Sequence, residues 1–236
     1  MAEAKSASFP NERKRVMLIH ALAESLEPIH KAFGTHWPEA ETYDLLDSSL
    51  SADHAANQGV LDSRMFERFQ ILGRYAAAAG HSGGDTHGIL FTCSAFGPAI
   101  DTVKRELKIP VLKPNEAAFA EAVKTGRHIG LLVTFEPSLP SLSAELRAMA
   151  GQEGIPLELE ARVVPHALAA LHQGKPLEHD NLIARAAAEL PPVDALVLGQ
   201  FSMARSAQAV CLRVKTPVIT TPESSVLELR RLLTGA

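Results

Sequence analysis

Short apolar runs recur along the chain and are separated by longer, mixed stretches. The runs are rich in Val, Ile and Leu and carry few charges, which is typical of strands buried on both faces of a parallel sheet. They predict eight strands, at residues 16–19, 42–46, 88–91, 111–112, 129–133, 158–164, 195–198 and 218–219.

The stretches between the runs have apolar residues three or four positions apart, as Met65, Phe69 and Leu72 show. That spacing places the apolar side chains on one face of a helix. Helices are predicted at residues 62–79, 96–107, 116–124, 141–152, 180–189, 202–214 and 223–233. Alternating strands and helices predict an α/β architecture with parallel sheets and right-handed crossovers.

The chain also contains an internal repeat. The segment FTCSAFGPAIDTVKRELKIPVLKPNEAAFAEAV, which begins at Phe91, resembles LGQFSMARSAQAVCLRVKTPVITTPESSVLELRRL, which begins at Leu198. Three pairs of positions share an offset of 107 residues: Cys93 with Gln200, Pro110 with Pro217, and Glu116 with Glu223. Because the order of elements also matches, we interpret the chain as a duplication.

The repeat predicts two pseudo-symmetric lobes, each a mainly parallel sheet flanked by helices. We place lobe 1 at residues 15–113 and lobe 2 at 114–221, with a C-terminal helix at about 222–236 that packs back on lobe 1. Residues 1–14 are polar and charged and are interpreted as a flexible tail. Open α/β sheets bind ligands at the carboxyl ends of their strands, so the two lobes should enclose one interlobe active-site cleft.

Composition narrows the class of protein. The 236 residues are 46% hydrophobic, which is enough for a large buried core. A net charge of −4 excludes the general basic field that nucleic acid or an acidic membrane surface would need. No 18 consecutive residues are apolar, so we expect a soluble protein, and two cysteines favour a reducing, cytoplasmic compartment.

The predicted cleft receives the residues that follow the strand ends of both lobes. The first lobe supplies His20, Asp47, Thr92, Cys93, Ser94 and Ala95, and the second supplies Thr134, Phe135, Gln200, Phe201 and Ser202. His81 and His87 flank a Gly-rich segment but lack coherent ligand spacing, so no metal site is predicted there.

Cys93 is the candidate chemical centre, because it follows a strand and comes just before a predicted helix. The positive end of a helix dipole would lower the pKa of a thiol toward the reactive thiolate. Cys211 lies inside a helical stretch and is interpreted as a packing residue.

His20 ends a predicted strand at the cleft, where it is either catalytic or a hydrogen-bonding residue of the strand end. The hydroxyls of Thr92, Ser94 and Thr134 could donate hydrogen bonds to a carboxylate or an enolate oxygen. Helix capping is the alternative role for Ser94 and Ser202.

Together these segments resemble the aspartate/glutamate/hydantoin racemase superfamily, from about residue 15 to residue 233. The resemblance is carried by LFTCSAFGPAI, PVLKPNEAAFAEAV, GLLVTFEPSL, LVLGQFSMA and TPVITTPESSV. It is greatest to a branch of uncharacterised small proteins with a TCSAFGPAI-type loop. The superfamily implies two α/β lobes around a central cleft and catalysis without pyridoxal phosphate or another cofactor.

The resemblance also implies a mechanism with two cysteines on opposite faces of the substrate's α-carbon. Cys93 matches the first family cysteine, whereas hydantoin-type racemases have a cysteine where this chain has Gln200. An amide has no usable titration near neutral pH, so Gln200 cannot act as an acid or a base. The standard two-thiol racemisation therefore does not follow for this chain.

We accordingly expect a cofactor-independent racemase- or isomerase-like enzyme that acts through a single thiol on a small carboxylate or carbonyl compound. A decarboxylase or other lyase with one-thiol protonation is the first alternative. A lone Cys93 would also suit covalent addition to an alkene, as in the family's maleate cis-trans isomerases. A ligand-binding protein that has lost turnover is the alternative from another class, and a homo-oligomer is a further possibility.

Overall fold

The computed structural model describes residues 13–80 and 86–235. His81 lies outside the described residues, and so does the predicted tail except for its last two positions. The described part contains eight strands, all predicted from the apolar runs: β1 (Arg15–His20), β2 (Glu41–Leu46), β3 (Gly88–Phe91), β4 (Val111–Leu112), β5 (His128–Val133), β6 (Glu158–Val163), β7 (Ala195–Leu198) and β8 (Val218–Thr220).

The strands form two four-stranded sheets with the same order. The first is β2-β1-β3-β4 and the second is β6-β5-β7-β8, and every pair is parallel. The α/β class and the two-lobe repeat are therefore confirmed. The lobe boundaries at residues 113 and 221 stay a prediction.

Helices flank both sheets. Within the described residues they are α1 (Leu26–His36), α2 (Ser49–Ala56), α3 (Ser63–Ala77), α4 (Gly97–Glu106), α5 (Glu116–Thr125), α6 (Leu139–Gln152), α7 (Ala167–His172), α8 (Pro176–Ala188), α9 (Ala207–Cys211) and α10 (Thr221–Thr234). Sequence periodicity did not predict α1, α2 or α7. The predicted helix at 202–214 is instead a 3-10 helix, Phe201–Ser206, followed by the short α9.

The central strands are apolar over most of their length because both of their faces are covered. On β1, Val16 and Leu18 join one apolar cluster, while Met17 and Ile19 join another on the opposite face of the sheet. Successive side chains of a strand point to opposite faces, so a strand between two helical layers needs an unbroken apolar run.

Helix α10 comes last in the chain but packs against elements of the first sheet. Val226 and Leu229 belong to the same apolar cluster as Leu18 of β1. The guanidinium of Arg230 donates to the carbonyl of His36 at the end of α1, at 2.9 Å. The C-terminal helix thus packs on the first lobe, against β1 and α1.

No helix in the described ranges is both long enough and apolar enough to cross a membrane.

Candidate active site

A cleft of about 120 Å³ lies between the two lobes, at the carboxyl ends of the central strands. Its volume suits a ligand smaller than a drug-sized molecule. Both lobes line the cleft with residues that follow strands and with residues of short helical segments. They are Leu22, Glu24, Ser25, Ser51, His54, Thr92, Cys93, Ser94, Ala95, Phe96, Thr134, Phe135, Leu168, His172, Gln200, Phe201 and Ser202.

The structure brings most of the predicted site residues into this cleft. They are Thr92, Cys93, Ser94 and Ala95 of the first lobe and Thr134, Phe135, Gln200, Phe201 and Ser202 of the second. His20 and Asp47 do not line it. A wider groove of about 440 Å³ adjoins the cleft and shares Glu24 and Ser202 with it.

Cys93 follows β3 in extended conformation and caps a 3-10 turn, Ser94–Phe96. The side chain is half-buried, and burial raises the pKa of its thiol to about 11. The N–H of Ala95 and the hydroxyl of Ser51 oppose that rise. The predicted lowering of the pKa is wrong because α4 begins only at Gly97 and desolvation outweighs the nearby donors. The resting thiol is protonated and can act as a proton donor.

The second cysteine also differs from its prediction. Cys211 ends α9 with its side chain exposed, so it is not a packing residue. It does not line the cleft.

We therefore expect iodoacetamide at pH 7.5 to alkylate Cys211 at least about tenfold faster than Cys93, because alkylation requires the thiolate. Labelling of Cys93 should accelerate as the pH rises toward 11. Peptide mass spectrometry of time points at several pH values would measure both rates. Faster labelling of Cys93 at neutral pH would contradict this expectation and restore the activated thiol.

His20 is fully buried behind the cleft wall. Its Nε2 lies 3.0 Å from an oxygen of Asp44, and its Nδ1 lies 2.8 Å from the hydroxyl of Thr92. A carboxylate only accepts, so Nε2 carries the proton and Nδ1 accepts from Thr92. Burial lowers the pKa of His20, although the neighbouring Asp44 acts in the opposite direction. The lowered pKa keeps the ring neutral. In this arrangement His20 orients Thr92, which itself lines the cleft.

The chain of hydrogen bonds from His20 continues to the surface. Asp44 contacts the Nε2 atom of His30 at 2.8 Å, and the His30 ring is partly exposed. Ser25 also contacts His20 Nδ1, at 3.1 Å, while its hydroxyl donates to the carbonyl of Leu22. The neutral imidazole thus ties the ends of β1 and β3 together beneath the cleft.

Asp47 follows β2, but it does not line the cleft as its position predicted. Its carboxylate pairs with Arg68 at 2.8 Å and accepts from both the N–H and the hydroxyl of Ser49. Burial opposes these contacts, but Ser49 and Arg68 lower the pKa of Asp47 below its usual range. The side chain is therefore committed to the start of α2 and to α3, away from the cleft.

Gln200 is anchored within the second lobe. Its Oε1 accepts from the N–H of Thr134 at 2.7 Å, from the Thr134 hydroxyl at 2.7 Å and from the N–H of Phe135 at 3.2 Å. Its Nε2 donates to the hydroxyl of Ser138 at 3.3 Å. The position where the resemblance implies a second cysteine is thus filled by an amide engaged at both ends.

Sequence reasoning missed Ser51 and His54, which lie three residues apart on α2 and both line the cleft. The His54 ring packs 4.9 Å from that of Phe96, and its Nε2 lies 3.0 Å from the carbonyl of Gly59. Because a carbonyl only accepts, Nε2 carries the proton and Nδ1 holds the lone pair. Burial lowers the pKa of His54. A neutral imidazole therefore lines the cleft.

A histidine–carboxylate contact joins the two lobes at the cleft mouth. His172 at the end of α7 lies 3.2 Å from the carboxylate of Glu24, which precedes α1. Both residues line the cleft, and sequence reasoning missed both. Their sequence signal is weak, because both lie in elements too short to show a periodic spacing of apolar residues.

Two buried histidines near the cleft, His20 and His54, should make stability depend on pH. Their folded pKa values lie below the unfolded value of 6.5, so between the two values the unfolded chain binds more protons. The free energy of unfolding should therefore fall as the pH drops below 6.5, by up to about 1.4 kcal/mol per pH unit for each of His20 and His54. It should be flat above that pH.

Urea unfolding at pH 5.5, 6.5 and 7.5 would measure this slope. His54→Gln should reduce it, whereas His166→Gln, at an exposed position outside the cleft lining, should leave it unchanged. A free energy that does not vary over this range would contradict the assignment of neutral buried rings.

Comparison with known proteins adds a family and a fold. The family model for Asp/Glu/Hydantoin racemase matches residues 22–229. No curated protein sequence matches the chain. Among the described residues, no group of three or more His, Cys, Asp or Glu side chains has the arrangement of a metal site.

Solved structures share the architecture at low identity. A glutamate racemase from Bacillus anthracis has a TM-score of 0.69 at 13% identity, over 94% of this chain and 82% of that one. An allantoin racemase from Pseudomonas fluorescens has a TM-score of 0.68 at 16% identity, over 92% and 90%. An aspartate racemase homologue from Pyrococcus horikoshii has a TM-score of 0.68 at 18% identity, over 94% and 99%. These similarities establish the fold.

Proposed function

Because the chain belongs to the Asp/Glu/hydantoin racemase family, we propose that it is a cofactor-independent isomerase that acts on a small carboxylate or carbonyl compound through Cys93. The family and fold support a racemase-type enzyme. The observation that supports this chemistry best is the position of Cys93, whose protonated thiol lines a small cleft at the carboxyl end of β3.

In the proposed reaction a base removes the α-proton of the bound acid, and the C–H electron pair moves into the carbonyl group to give an enolate. The Cys93 thiol then delivers its proton to carbon, and the enolate electrons form the new C–H bond. The thiolate regains a proton from solvent, and the base releases its proton there. Proton transfer by a positioned group accelerates such steps about 10²- to 10⁴-fold.

His54 is our candidate for the base, since its neutral ring lines the cleft. His20, which the sequence predicts as a catalytic candidate, lies behind the cleft wall and would act through Thr92, as a positioning residue. Ser94 supplies a hydroxyl on the lobe-1 side for the substrate carboxylate. The sequence also predicts that the Thr134 hydroxyl binds the substrate carboxylate. In the structure the N–H and hydroxyl of Thr134 both donate to Gln200.

A lyase is the second candidate, and the pKa of about 11 for Cys93 favours it. Loss of CO₂ from a substituted malonate leaves the C–C electron pair in an enediolate, which requires one proton and no base. A single protonated thiol is sufficient for that step. The described cleft lining contains Cys93 and no second cysteine.

Both reactions can be tested with one panel of substrates. Small 2-substituted acids incubated with the protein in D₂O should lose their α-proton signal in NMR spectra if the protein is an isomerase. The corresponding substituted malonates should release CO₂ if it is a lyase. Acids that bind without either reaction would overturn both enzyme proposals and indicate a ligand-binding protein.

A further inference from the structure

Three hydrogen-bond donors of the second lobe converge on one oxygen. The N–H and hydroxyl of Thr134 and the N–H of Phe135 all point to Oε1 of Gln200, at 2.7, 2.7 and 3.2 Å. Converging donors of this kind stabilise the oxygen of a carboxylate or an oxyanion. Here the oxygen belongs to the protein and is neutral.

The backbone next to Gln200 is fixed by close contacts at Gly199. Asn115 is buried, and its Nδ2 donates to the carbonyl of Gly199 at 2.7 Å. A Cβ at Gly199 would lie 2.9 Å from Leu131 and 3.1 Å from the carbonyl of Leu132. The backbone that carries Gln200 therefore fits closely against β5, and the amide has little freedom to leave the donors.

The remaining lining on this side of the cleft combines the apolar Phe135, Leu168 and Phe201 with the Ser202 hydroxyl and with His172, which contacts Glu24. In the described part of the chain no lysine or arginine lines the cleft. The one carboxylate at its mouth, Glu24, would repel an anion, although His172 pairs with it. A second negative charge on the ligand would thus find no lysine or arginine here, and the three converging donors are already occupied by Gln200.

We propose that Gln200 is a specificity-determining residue: its amide oxygen fills the position of a ligand carboxylate. The cleft then accepts substrates with one carboxylate, bound on the lobe-1 side, and an uncharged apolar substituent toward lobe 2. This inference rests on the proposed isomerase and names its substrate class. It disfavours the lyase, because a substituted malonate carries two carboxylates.

Isobutyrate and methylmalonate are matched probes, because they differ by exchange of one methyl group for a carboxylate. Calorimetric titration in a carboxylate-free buffer would compare wild type with Gln200→Ala. We expect Gln200→Ala to bind methylmalonate at least about tenfold more tightly than wild type does, since three donors become free for a charged oxygen. Affinity for isobutyrate should change less than affinity for methylmalonate.

Two further variants locate the effect. Gln200→Glu places a carboxylate among the same donors, so its affinity for methylmalonate should stay at or below the wild-type value. Adding Thr134→Val to Gln200→Ala removes one donor and should reduce the gain. Circular dichroism would show whether each variant is folded, and Gln200→Met, which keeps the volume but accepts no such bonds, replaces Gln200→Ala if that variant fails to fold.

The decisive quantity is the change in methylmalonate affinity. An unchanged or weaker affinity in a folded variant overturns the inference, as does a wild type that prefers methylmalonate to isobutyrate. The same titrations in a Cys93→Ser background, which lacks the proposed proton donor, measure binding without turnover. Failure of the catalytic proposal in D₂O therefore remains distinguishable from failure of this one.

Discussion

Replacing Cys93 by Ser should lower the rate of α-proton exchange in D₂O by about 10³-fold. The hydroxyl has nearly the shape of the thiol but is a far weaker acid, and general acid–base catalysis contributes about 10²- to 10⁴-fold. Binding of the acid should change little, so the loss should appear in kcat rather than in KM. The exchange rate of each substrate measured by NMR would test this.

Cys211→Ser is the matched control, because it makes the same atomic change at an exposed position outside the cleft. It should exchange at the wild-type rate. A Cys93→Ser variant that keeps more than a tenth of the activity would exclude the thiol as the proton donor. If the lyase reaction is the one observed, the same pair of variants applies to CO₂ release.

The raised pKa of Cys93 also predicts how the rate of the protonation step depends on pH. A thiol with a pKa of about 11 remains protonated across the neutral range. The protonation step should therefore not slow between pH 7 and pH 10 and should decline only as the pH approaches 11.

Burial in parallel sheets explains why the strands were predictable. A strand covered on both faces, such as β3 or β7, must be apolar at each position, and all four residues of each are buried. The equal offsets between repeats follow from the same cause, since each lobe repeats one order of buried strands. Residues that follow those strands, such as Cys93 and Gln200, were correctly placed at the cleft.

The helices that cover the cleft were not predictable in this way. Helix α2 is eight residues long and α7 is six, so neither contains enough turns for a clear periodicity. Helix α1 has Pro28 in its first turn and Gly34 in its last turn, and both residue types are strong signals for turns and loops. As a result His54 and His172 were missed, although they lie in the cleft wall.

Electrostatic properties depend on long-range packing and were the least predictable. The pKa of Cys93 is set by its burial among several elements of the fold. The sequence of the loop alone does not show that burial. Asp47 follows β2 as expected, yet Arg68 of α3 draws its carboxylate away from the cleft. His20 reached the predicted edge of the sheet, but the hydroxyl of Thr92 lies between it and the cleft.

The loop that carries Cys93 rests on a buried aromatic cluster. The Phe69 ring of α3 lies 5.4 Å from that of Phe91 and 4.8 Å from that of Phe96. Phe91 ends β3 and Phe96 ends the turn after Cys93, so Phe69 supports both sides of the thiol. The cluster links stability of the first lobe to the geometry of the cleft.

Phe69→Ala should therefore lower the free energy of unfolding by about 3–5 kcal/mol, the usual cost of removing a buried aromatic ring. Phe119→Ala is the matched control, since Phe119 is equally buried but belongs to the core of the second lobe. Urea unfolding would measure both losses. If the cluster positions the thiol, iodoacetamide should alkylate Cys93 faster in Phe69→Ala than in Phe119→Ala at comparable stability. Equal labelling in the two variants would show that global opening alone exposes Cys93, and that Phe69 stabilises the lobe without positioning the site.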